Sequence, residues 1–398
     1  MISSTSNERA SSPDVYFVGL RWPQHAKVSG YDAIVHHLGT PIRLPIVDRW
    51  PWKDASDQRL LPRSRYWFTE QVSGLLDRLV KPTYSLPLLR MELAVARHMA
   101  RRRGAVYHVL YGETDVCLLG WFGRLTRNHV VASFHDGREV LEGCGVTGPI
   151  LRSLSAVVLL GRCQTDYFTP HVARSRIHVI PHGVDTDFFL PPAATDTAPP
   201  GPSDDRLVLT VGGHTRDHAT LGQAVASIVD QNPGVRFVAV SANLGNKGSK
   251  LAGERIEHVT GISDEQLRTL YQQAAVSVFA FQYAVANNAV LESLACGTPV
   301  VATDIGAVGD YLSPDAGRLV PPGDAAALAA AVLEILEEPS PDRISAAART
   351  NAERFDLPVV CDQLRRLYRH LAGATNAPPA GDGAQSLGAG DPAAATKP

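Results

Sequence analysis

Residues 281–303 contain the start of a predicted helix and, one turn further along, an acidic side chain. Asn287 and Asn288 are good N-cap residues, and 289–296 has the apolar pattern of a short buried helix. The free amides at a helix start carry a partial positive charge, so an anion such as a diphosphate is the expected occupant. The sequence therefore predicts a phosphate site formed by Asn287, Asn288 and Ala289.

Glu292 is the carboxylate of this predicted helix. It follows Asn288 by four residues and so lies on the same helical face. A carboxylate in that position can accept hydrogen bonds from hydroxyls attached to the anion, such as those of a ribose. The residues alone leave an alternative open, which is an ordinary capped helix with a solvated glutamate.

Length and composition predict two globular domains. A chain of 398 residues is too long for one ordinary core, and we expect two domains of nearly equal size. Its residues are 44% hydrophobic and 20% charged, with a formal net charge of -2. This balance argues against a general nucleic-acid binder.

The five cysteines are odd in number and have no spacing typical of a metal or redox site. This pattern suits a reducing cytoplasm. Residues 1–14 lack the apolar core of a signal peptide, and no run of about 18 apolar residues follows. We therefore expect a cytoplasmic protein that at most contacts the inner face of a membrane.

Charge is unevenly distributed along the chain. Residues 1–190 contain 23 Lys and Arg against 17 Asp and Glu, whereas 191–398 contain 15 against 23. Residues 43–103 alone carry 13 basic and 6 acidic side chains, interleaved with Trp50, Trp52, Trp67 and Phe68. Basic and aromatic side chains together can dock an anionic or lipid-linked partner, so this segment is a candidate for peripheral membrane contact. A solvated helical face is the alternative.

Composition and patterning also predict the boundaries of the domains. The expected order is a disordered N-terminus (1–14), an N-terminal domain (15–190), a Pro-rich linker (191–205), a C-terminal domain (206–355), a helix that packs back on the N-terminal domain (356–371) and a disordered tail (372–398).

Short Val-rich strands alternate with amphipathic helices after the linker. Such alternation is typical of a parallel sheet covered by helices on both faces, and the first half repeats it less clearly. We predict an α/β protein with two doubly wound domains that face each other across a cleft. Such sheets bind ligands beyond the carboxyl ends of their strands.

Three motifs in this order resemble the family 4 retaining glycosyltransferases of the GT-B fold. They are PHGVDTDFF at 181–189, the Glu292 helix with ACGTPVVAT at 295–303, and GRLVPPGD at 317–324. The resemblance extends from about residue 106 to 371 and is most specific in the second half. It implies two Rossmann-like domains around a nucleotide-diphosphate-sugar, which is the substrate, with the nucleotide held by the C-terminal domain. It implies neither a metal nor another cofactor.

The family's paired glutamates are only half present. Glu292 matches the second glutamate, which the resemblance implies holds the ribose, while the first falls on Ala284. Since that missing carboxylate is implied to contact the donor sugar, its loss leaves the identity of the sugar and the contacts of its hydroxyls undetermined. The loop with Asn287 and Asn288 is implied to face the diphosphate.

The segment 210–221 resembles the family loop that gives two basic residues to the diphosphate. Arg216 fits the second, whereas the first falls on Gly213. His214 can replace that cation only if it is protonated. The nucleotide base is implied to lie near Thr260 and Gly261.

On the acceptor side, His135 follows a predicted strand and matches a family histidine implied to lie near the reacting carbon. Gly30 and Tyr31 resemble the glycine loop of the N-terminal domain. Glu113 follows another strand, and we interpret it as a turn residue rather than a catalytic carboxylate. The sequence DTD at 185–187 looks like a metal motif, but its position favours a turn.

The function that we expect is transfer of a sugar from a nucleotide-diphosphate-sugar to an acceptor that the sequence does not identify. Arg216 and the helix start would stabilise the leaving diphosphate without metal. Retention in the family proceeds by front-face attack, so no protein base is needed. The alternatives are a catalytically degenerate nucleotide-sugar-binding protein, in view of Ala284 and Gly213, and a GT-B nucleotide-sugar epimerase.

Overall fold

The computed structural model describes residues 13–19, 30–38, 71–72, 74–78, 80–82, 84–193, 206–213, 215–241 and 256–373. Two parallel sheets form the framework within these ranges. The predicted α/β class with two parallel sheets is therefore confirmed. None of the helices in these ranges combines the length and the apolar character that crossing a bilayer requires.

The N-terminal sheet has five parallel strands in the order β1-β2-β3-β4-β5. They are β1 (Val15–Val18), β2 (Val106–Val109), β3 (His129–Phe134), β4 (Ala156–Leu159) and β5 (Ile177–Val179). All four residues of β2 and of β4 are buried, as expected for strands covered on both faces. In register, Val109 pairs with Ala132, so the residues that follow β2 and β3 emerge side by side.

Residues 71–72 and 74–78 are helical, and further α-helices accompany this sheet in the part of the chain described. They are α1 (Gly30–His37), α2 (Leu86–Met99), α3 (Gly112–Asp115), α4 (Leu119–Thr126), α5 (Arg138–Gly143), α6 (Gly148–Ser153) and α7 (Thr165–Phe168). The buried carboxylate of Glu92 in α2 accepts hydrogen bonds from three amides at the start of α4. It acts as a cap from another helix, because no side-chain cap bond comes from the N-cap residue of α4 itself.

The C-terminal sheet has six parallel strands in the order β11-β10-β9-β6-β7-β8. They are β6 (Leu207–Val211), β7 (Arg236–Val240), β8 (Ile256–Val259), β9 (Ala274–Phe279), β10 (Val300–Thr303) and β11 (Gly317–Val320). Strands β7 and β8 are added in sequence on one side of β6. The chain then returns to the other side of β6, where β9, β10 and β11 are added in the opposite direction. The switch point of this sheet therefore lies between β6 and β9, which is where doubly wound sheets bind ligands.

The helices of the second half are α8 (His218–Gln231), α9 (Asp264–Gln273), α10 (Asn288–Ala295), α11 (Val308–Tyr311), α12 (Ala325–Leu336), α13 (Pro341–Glu353) and α14 (Leu357–Leu371). Asp217 and Asp324 cap α8 and α12 through their carboxylates. At α9, Ser263 and Gln266 form a reciprocal capping box. These local signals explain why the helices begin where they do.

The last helix, α14, joins the two halves. It packs against α1, and its Tyr368 hydroxyl lies 2.6 Å from Nδ1 of the fully buried His108 on β2. One apolar cluster contains residues from both halves, for example Phe17, Leu291 and Leu364. The fit of α14 against the N-terminal sheet is thus part of the core. The domain boundaries drawn from composition stay predictions.

Candidate active site

Arg216 lies in the loop after β6, at the switch point of the C-terminal sheet. Its Nη2 donates a hydrogen bond of 2.6 Å to the carbonyl oxygen of Val211. The guanidinium stacks over the rings of Phe281, at 4.5 Å, and Phe279, at 5.4 Å. A Cβ on Gly212 would lie 2.9 Å from Nη2, so this glycine at φ +90° gives the arginine its space.

The guanidinium of Arg216 is buried, with only 5% of the residue exposed. Burial lowers its pKa to about 10, so it stays charged at neutral pH. Its Nε is buried and has no hydrogen-bond partner among the described residues. A fixed cation with an unused donor is suited to binding an anion.

The helix start predicted at Asn287 and Asn288 is present as the first turn of α10. Asn287 is the N-cap residue, but its side chain makes no cap hydrogen bond. Its Oδ1 is buried without a hydrogen-bond partner in the described ranges. Ala289 is buried in the first turn. The two groups predicted to bind the phosphate are Arg216, which follows β6, and the start of α10, which follows β9. These are the two strands at the switch point.

Glu292 lies on α10 and is only 6% exposed. Its Oε2 accepts a hydrogen bond of 3.1 Å from the hydroxyl of the fully buried Tyr271. Burial, with the carboxylate of Glu292 next in importance, raises the pKa of Tyr271 well above its ordinary value, while Arg216 acts in the opposite direction. The alternative of a solvated glutamate is therefore wrong. A buried tyrosine fixes this carboxylate, and Arg216 lies close enough to act on the same tyrosine.

Three other predicted donor positions lie in loops. Gly213 follows β6, and a Cβ there would lie 3.4 Å from Ser241 Oγ. Thr260 and Gly261 are exposed after β8. That strand is two positions from β6, or roughly 10 Å at the usual strand spacing. His214 lies outside the described residues.

Ala284, where the family's first glutamate would stand, is buried. Its carbonyl oxygen packs so tightly against Gly306 that a Cβ there would lie 1.7 Å away. Gly306 also has φ +62°, a conformation that favours glycine. The loop that leads into α10 is therefore held in place by backbone contact.

On the N-terminal side, His135 directly follows β3. Its Nδ1 lies 3.2 Å from Oε1 of Glu113, and its backbone amide donates to Oε2 of the same carboxylate at 3.3 Å. The imidazole stacks on Tyr111, with the ring centres 4.6 Å apart. His182 of the 181–189 motif lies close, with its ring centre 5.5 Å from that of His135.

Glu113 corrects the prediction made from the sequence, where it was a turn residue. It lies in the first turn of α3, its side chain is buried, and both carboxylate oxygens contact His135. Parallel pairing of β2 and β3 brings the two residues together. A carboxylate that follows a strand was the available signal. Asp185, by contrast, accepts bonds from the amides of Asp187 and Phe188, as a turn requires.

The two halves meet at the predicted cleft. A Cβ on Gly30, at φ +71°, would lie 3.1 Å from Asn288 Nδ2, so the start of α1 faces the start of α10. The amide of Gly137, two residues after His135, donates to the hydroxyl of Tyr283. The side chain of Tyr31 lies outside the described residues. The structure thus brings Gly30 and the His135 loop next to the donor loop.

Comparisons with known proteins agree with this geometry. A sequence model of the family described as Glycosyl transferases group 1 matches residues 205–338. A phosphatidyl-myo-inositol mannosyltransferase of Mycobacterium leprae is 28% identical over 322 residues, covering 74% of this chain and 83% of that protein. The protein of the same name from Mycolicibacterium smegmatis is 30% identical over 208 residues, covering 49% of this chain and 52% of the relative. This second alignment therefore spans about half of the relative's length.

Among solved structures, a sucrose-phosphate synthase from Thermosynechococcus elongatus superposes with a TM-score of 0.59 at 25% identity. The superposition covers 73% of this chain and 79% of that one. Because this share exceeds either half of the chain, the similarity includes parts of both halves.

Proposed function

We propose that this chain, which belongs to the group 1 glycosyltransferases of the GT-B fold, transfers a sugar from a nucleotide-diphosphate-sugar to an acceptor hydroxyl. The anomeric configuration is retained, and neither a metal nor another cofactor takes part. The observation that carries the proposal is a buried cation, Arg216, at the switch point of the C-terminal sheet, with the start of α10 following the adjacent strand β9.

Breaking the sugar–phosphate bond builds negative charge on the departing diphosphate. Arg216 supplies a full positive charge, and the free amides at the start of α10 supply a partial one. The contacts of the guanidinium with Val211 and Phe281 hold it in place before the substrate arrives. A site arranged in advance needs little reorganisation during the reaction, and this is the main catalytic term.

The nucleotide is held at the ribose by Glu292. Tyr271 donates a hydrogen bond to Oε2 of Glu292 and so fixes the direction in which Oε1 points. Because the carboxylate is buried, each hydrogen bond that it accepts from a ribose hydroxyl is stronger than in water. Thr260 and Gly261 then lie on the side of the nucleotide base.

Retention follows from attack on the face from which the phosphate leaves. The bond from the anomeric carbon to the phosphate oxygen breaks, and a new bond forms to the acceptor oxygen. The acceptor proton passes to the leaving phosphate oxygen, so the step is balanced without a protein base. His135 orients the sugar, and Glu113 holds the imidazole by accepting a hydrogen bond from Nδ1.

Two other functions remain in competition. A nucleotide-sugar epimerase needs carboxylates that are free to take part in elimination and readdition. Both carboxylate oxygens of Glu113 already contact His135, which argues against this function. A nucleotide-sugar-binding protein without turnover is favoured by Ala284 and Gly213, but binding of the nucleotide alone gives no reason for the His135–Glu113 pair on the acceptor side. Sugar transfer accounts for more of the observed contacts.

The acceptor is a glycan, a lipid-linked molecule or a small molecule. The names of the two mycobacterial relatives refer to mannose and to phosphatidyl-myo-inositol. They favour a mannosyl donor and a lipid acceptor as the first pair to test. The cytoplasmic location, at the inner face of a membrane, stays a prediction.

A thermal-shift screen of nucleotide-sugars, followed by incubation with the best donor, tests the proposal. We expect stabilisation by one nucleoside diphosphate and its sugar, and transfer of the labelled sugar to a component of a lipid or glycan extract. Formation of an epimer from donor alone would identify an epimerase. Stabilisation without transfer to any acceptor would identify a binding protein.

A further inference from the structure

We propose that Lys81 is a positioning residue for the acceptor side of the site, because it holds α3 in the place from which the carboxylate of Glu113 reaches His135. This inference rests on the proposed function, which gives His135 the task of orienting the sugar. Among the described residues, the buried lysine and arginine side chains are those of Lys81 and Arg216. Arg216 serves the donor side, and Lys81 contacts the residue that holds His135.

Lys81 is only 4% exposed, so its ammonium group is surrounded by protein. Its Nζ donates a hydrogen bond of 3.2 Å to the backbone carbonyl oxygen of Glu113. Burial lowers the pKa of Lys81, while the thiols of Cys117 and Cys144 act in the opposite direction. Removing an ammonium group from water is costly, and an apolar side chain of similar volume would fill the same place at less cost. The contact that such a side chain could not make is the one with Glu113.

Helix α3 depends on contacts from outside itself. It has four residues, Gly112–Asp115, and its N-cap residue Tyr111 makes no side-chain cap hydrogen bond. One turn of helix is too short to be stable alone. Its first residue packs against the end of β3, since a Cβ on Gly112 would lie 2.7 Å from the ring of Phe134. The neighbours of α3 therefore decide where it lies.

Two buried side chains of opposite formal charge hold the chain from α3 to the start of α4. Lys81 binds the carbonyl oxygen of Glu113, and Oε1 of Glu92 accepts bonds of 2.8, 2.7 and 3.2 Å from the amides of residues 117–119. The hydroxyl of Tyr84 donates to Oε2 of Glu92 at 2.6 Å. Lys81 and Tyr84 are three residues apart, so one short stretch of chain supports both ends of this segment.

The burial of Lys81 also bears on the basic segment 43–103. The sequence predicted either an anionic partner or a solvated helical face for this segment, and a buried lysine fits neither. The four aromatic residues named with it lie outside the described residues, namely Trp50, Trp52, Trp67 and Phe68.

Glu113 uses its backbone to bind Lys81 and its side chain to bind His135. Its carboxylate oxygens lie 3.2 Å from Nδ1 and 3.3 Å from the amide nitrogen of His135. Both distances are at the long end of the usual range for hydrogen bonds, so a small displacement of α3 breaks them. Misplacement of a group by about 1 Å can lower a reaction rate about a hundredfold. Lys81 thereby affects the orientation of His135 without contact with a substrate.

Nuclear magnetic resonance of the full chain with 15N-labelled histidine tests the proposal without any ligand. His135→Asn identifies the ring-nitrogen signals of His135, and Glu113→Gln shows how they move when the carboxylate is lost. In Lys81→Met the same signals should move in the same direction. Tyr167→Phe is the matched control, since it likewise removes one buried hydrogen bond to a backbone carbonyl, that of Val146 at 2.5 Å. In this control the signals of His135 should stay in place.

Unmoved His135 signals in a folded Lys81→Met variant would overturn the proposal, because Lys81 would then contribute to stability alone. Lys81→Gln, whose side chain is one bond shorter and ends before the carbonyl oxygen, gives the same test where Lys81→Met does not fold.

Kinetics with the donor that the thermal-shift screen identifies provide a second test. Lys81→Met should lower kcat roughly tenfold and leave the affinity for nucleoside diphosphate unchanged. It should add little to the loss caused by Glu113→Gln, because both changes act on the same carboxylate. Losses that multiply in the double variant would show that Lys81 acts by a route without Glu113 and would overturn the proposal. Absence of transfer by the unaltered chain would instead contradict the proposed function, and the signals of His135 would still decide the role of Lys81.

Discussion

Acidification should unfold this protein through two buried histidines. His108 is fully buried between Tyr368 and Ser133, with its ring nitrogens 2.6 and 2.7 Å from their hydroxyl oxygens. Burial, and secondarily His135, lowers the pKa of His108 from 6.5 to about 3. The same causes lower the pKa of His182 to about 3.

The direction of the effect follows from these values. Below pH 6.5 the unfolded chain binds a proton at each histidine, whereas the folded chain does not until about pH 3. The stability that neutral His108 and His182 confer is therefore complete above pH 6.5 and is lost as the pH falls towards 3. At about 1.4 kcal/mol per pH unit, a drop from 6.5 to 5 costs about 2 kcal/mol for each histidine. Two such losses are large against a typical total of about 5–15 kcal/mol.

Proton uptake during unfolding in urea at pH 5 measures this coupling without assuming a two-state transition. Each of the two histidines should contribute about one proton, because the unfolded imidazole is almost fully protonated at that pH. His108→Asn keeps a hydrogen-bonding side chain and should lower the uptake by about one proton. His182→Asn provides an independent second case. Uptake by both variants equal to that of the unaltered chain would refute the reasoning.

Three further predictions concern the site. Glu292→Gln should weaken the binding of nucleoside diphosphate by roughly tenfold in calorimetry, because a buried charged hydrogen bond to the ribose is lost; equal affinity would contradict the ribose role. Glu113→Gln should lower kcat by roughly tenfold while the nucleotide affinity stays the same, since the change affects the orientation of His135; a Glu113→Asp variant with partial recovery would support orientation, and unchanged kcat would argue against it. Turnover should be unaffected by EDTA, because Arg216 and the start of α10 supply the positive charge; loss of activity that a divalent cation restores would disprove the metal-free mechanism.

The strands of the second half were predictable because a doubly wound sheet buries both faces of each strand. The apolar runs at 207–211 and 256–259 coincide with β6 and β8. Helix α10 was also predictable, since Asn287 precedes an apolar segment that a glycine ends. The β11 strand was missed, because Gly317–Val320 is short and was considered only as a family motif.

Long-range packing explains what the sequence could not give. Glu113 and His135 are far apart in the chain, and only the parallel register of β2 with β3 brings them together. The contact between Tyr271 and Glu292 likewise depends on long-range packing, here of α9 against α10. Helix α4 was not predicted, and α2 entered the sequence interpretation only through the alternative of a solvated helical face in 43–103. Glu92 of α2 has the composition of a solvated position. Its burial depends on the amides of α4, which no local pattern shows.

The central claim is that Arg216 and the start of α10 bind the diphosphate, and calorimetry with nucleoside, nucleoside monophosphate and nucleoside diphosphate tests it most directly. In the unaltered protein, affinity should rise steeply with the second phosphate. In Arg216→Ala most of that increase should vanish, about tenfold to a hundredfold in Kd, while affinity for the nucleoside stays the same. A variant that keeps the full preference for the diphosphate would contradict the account.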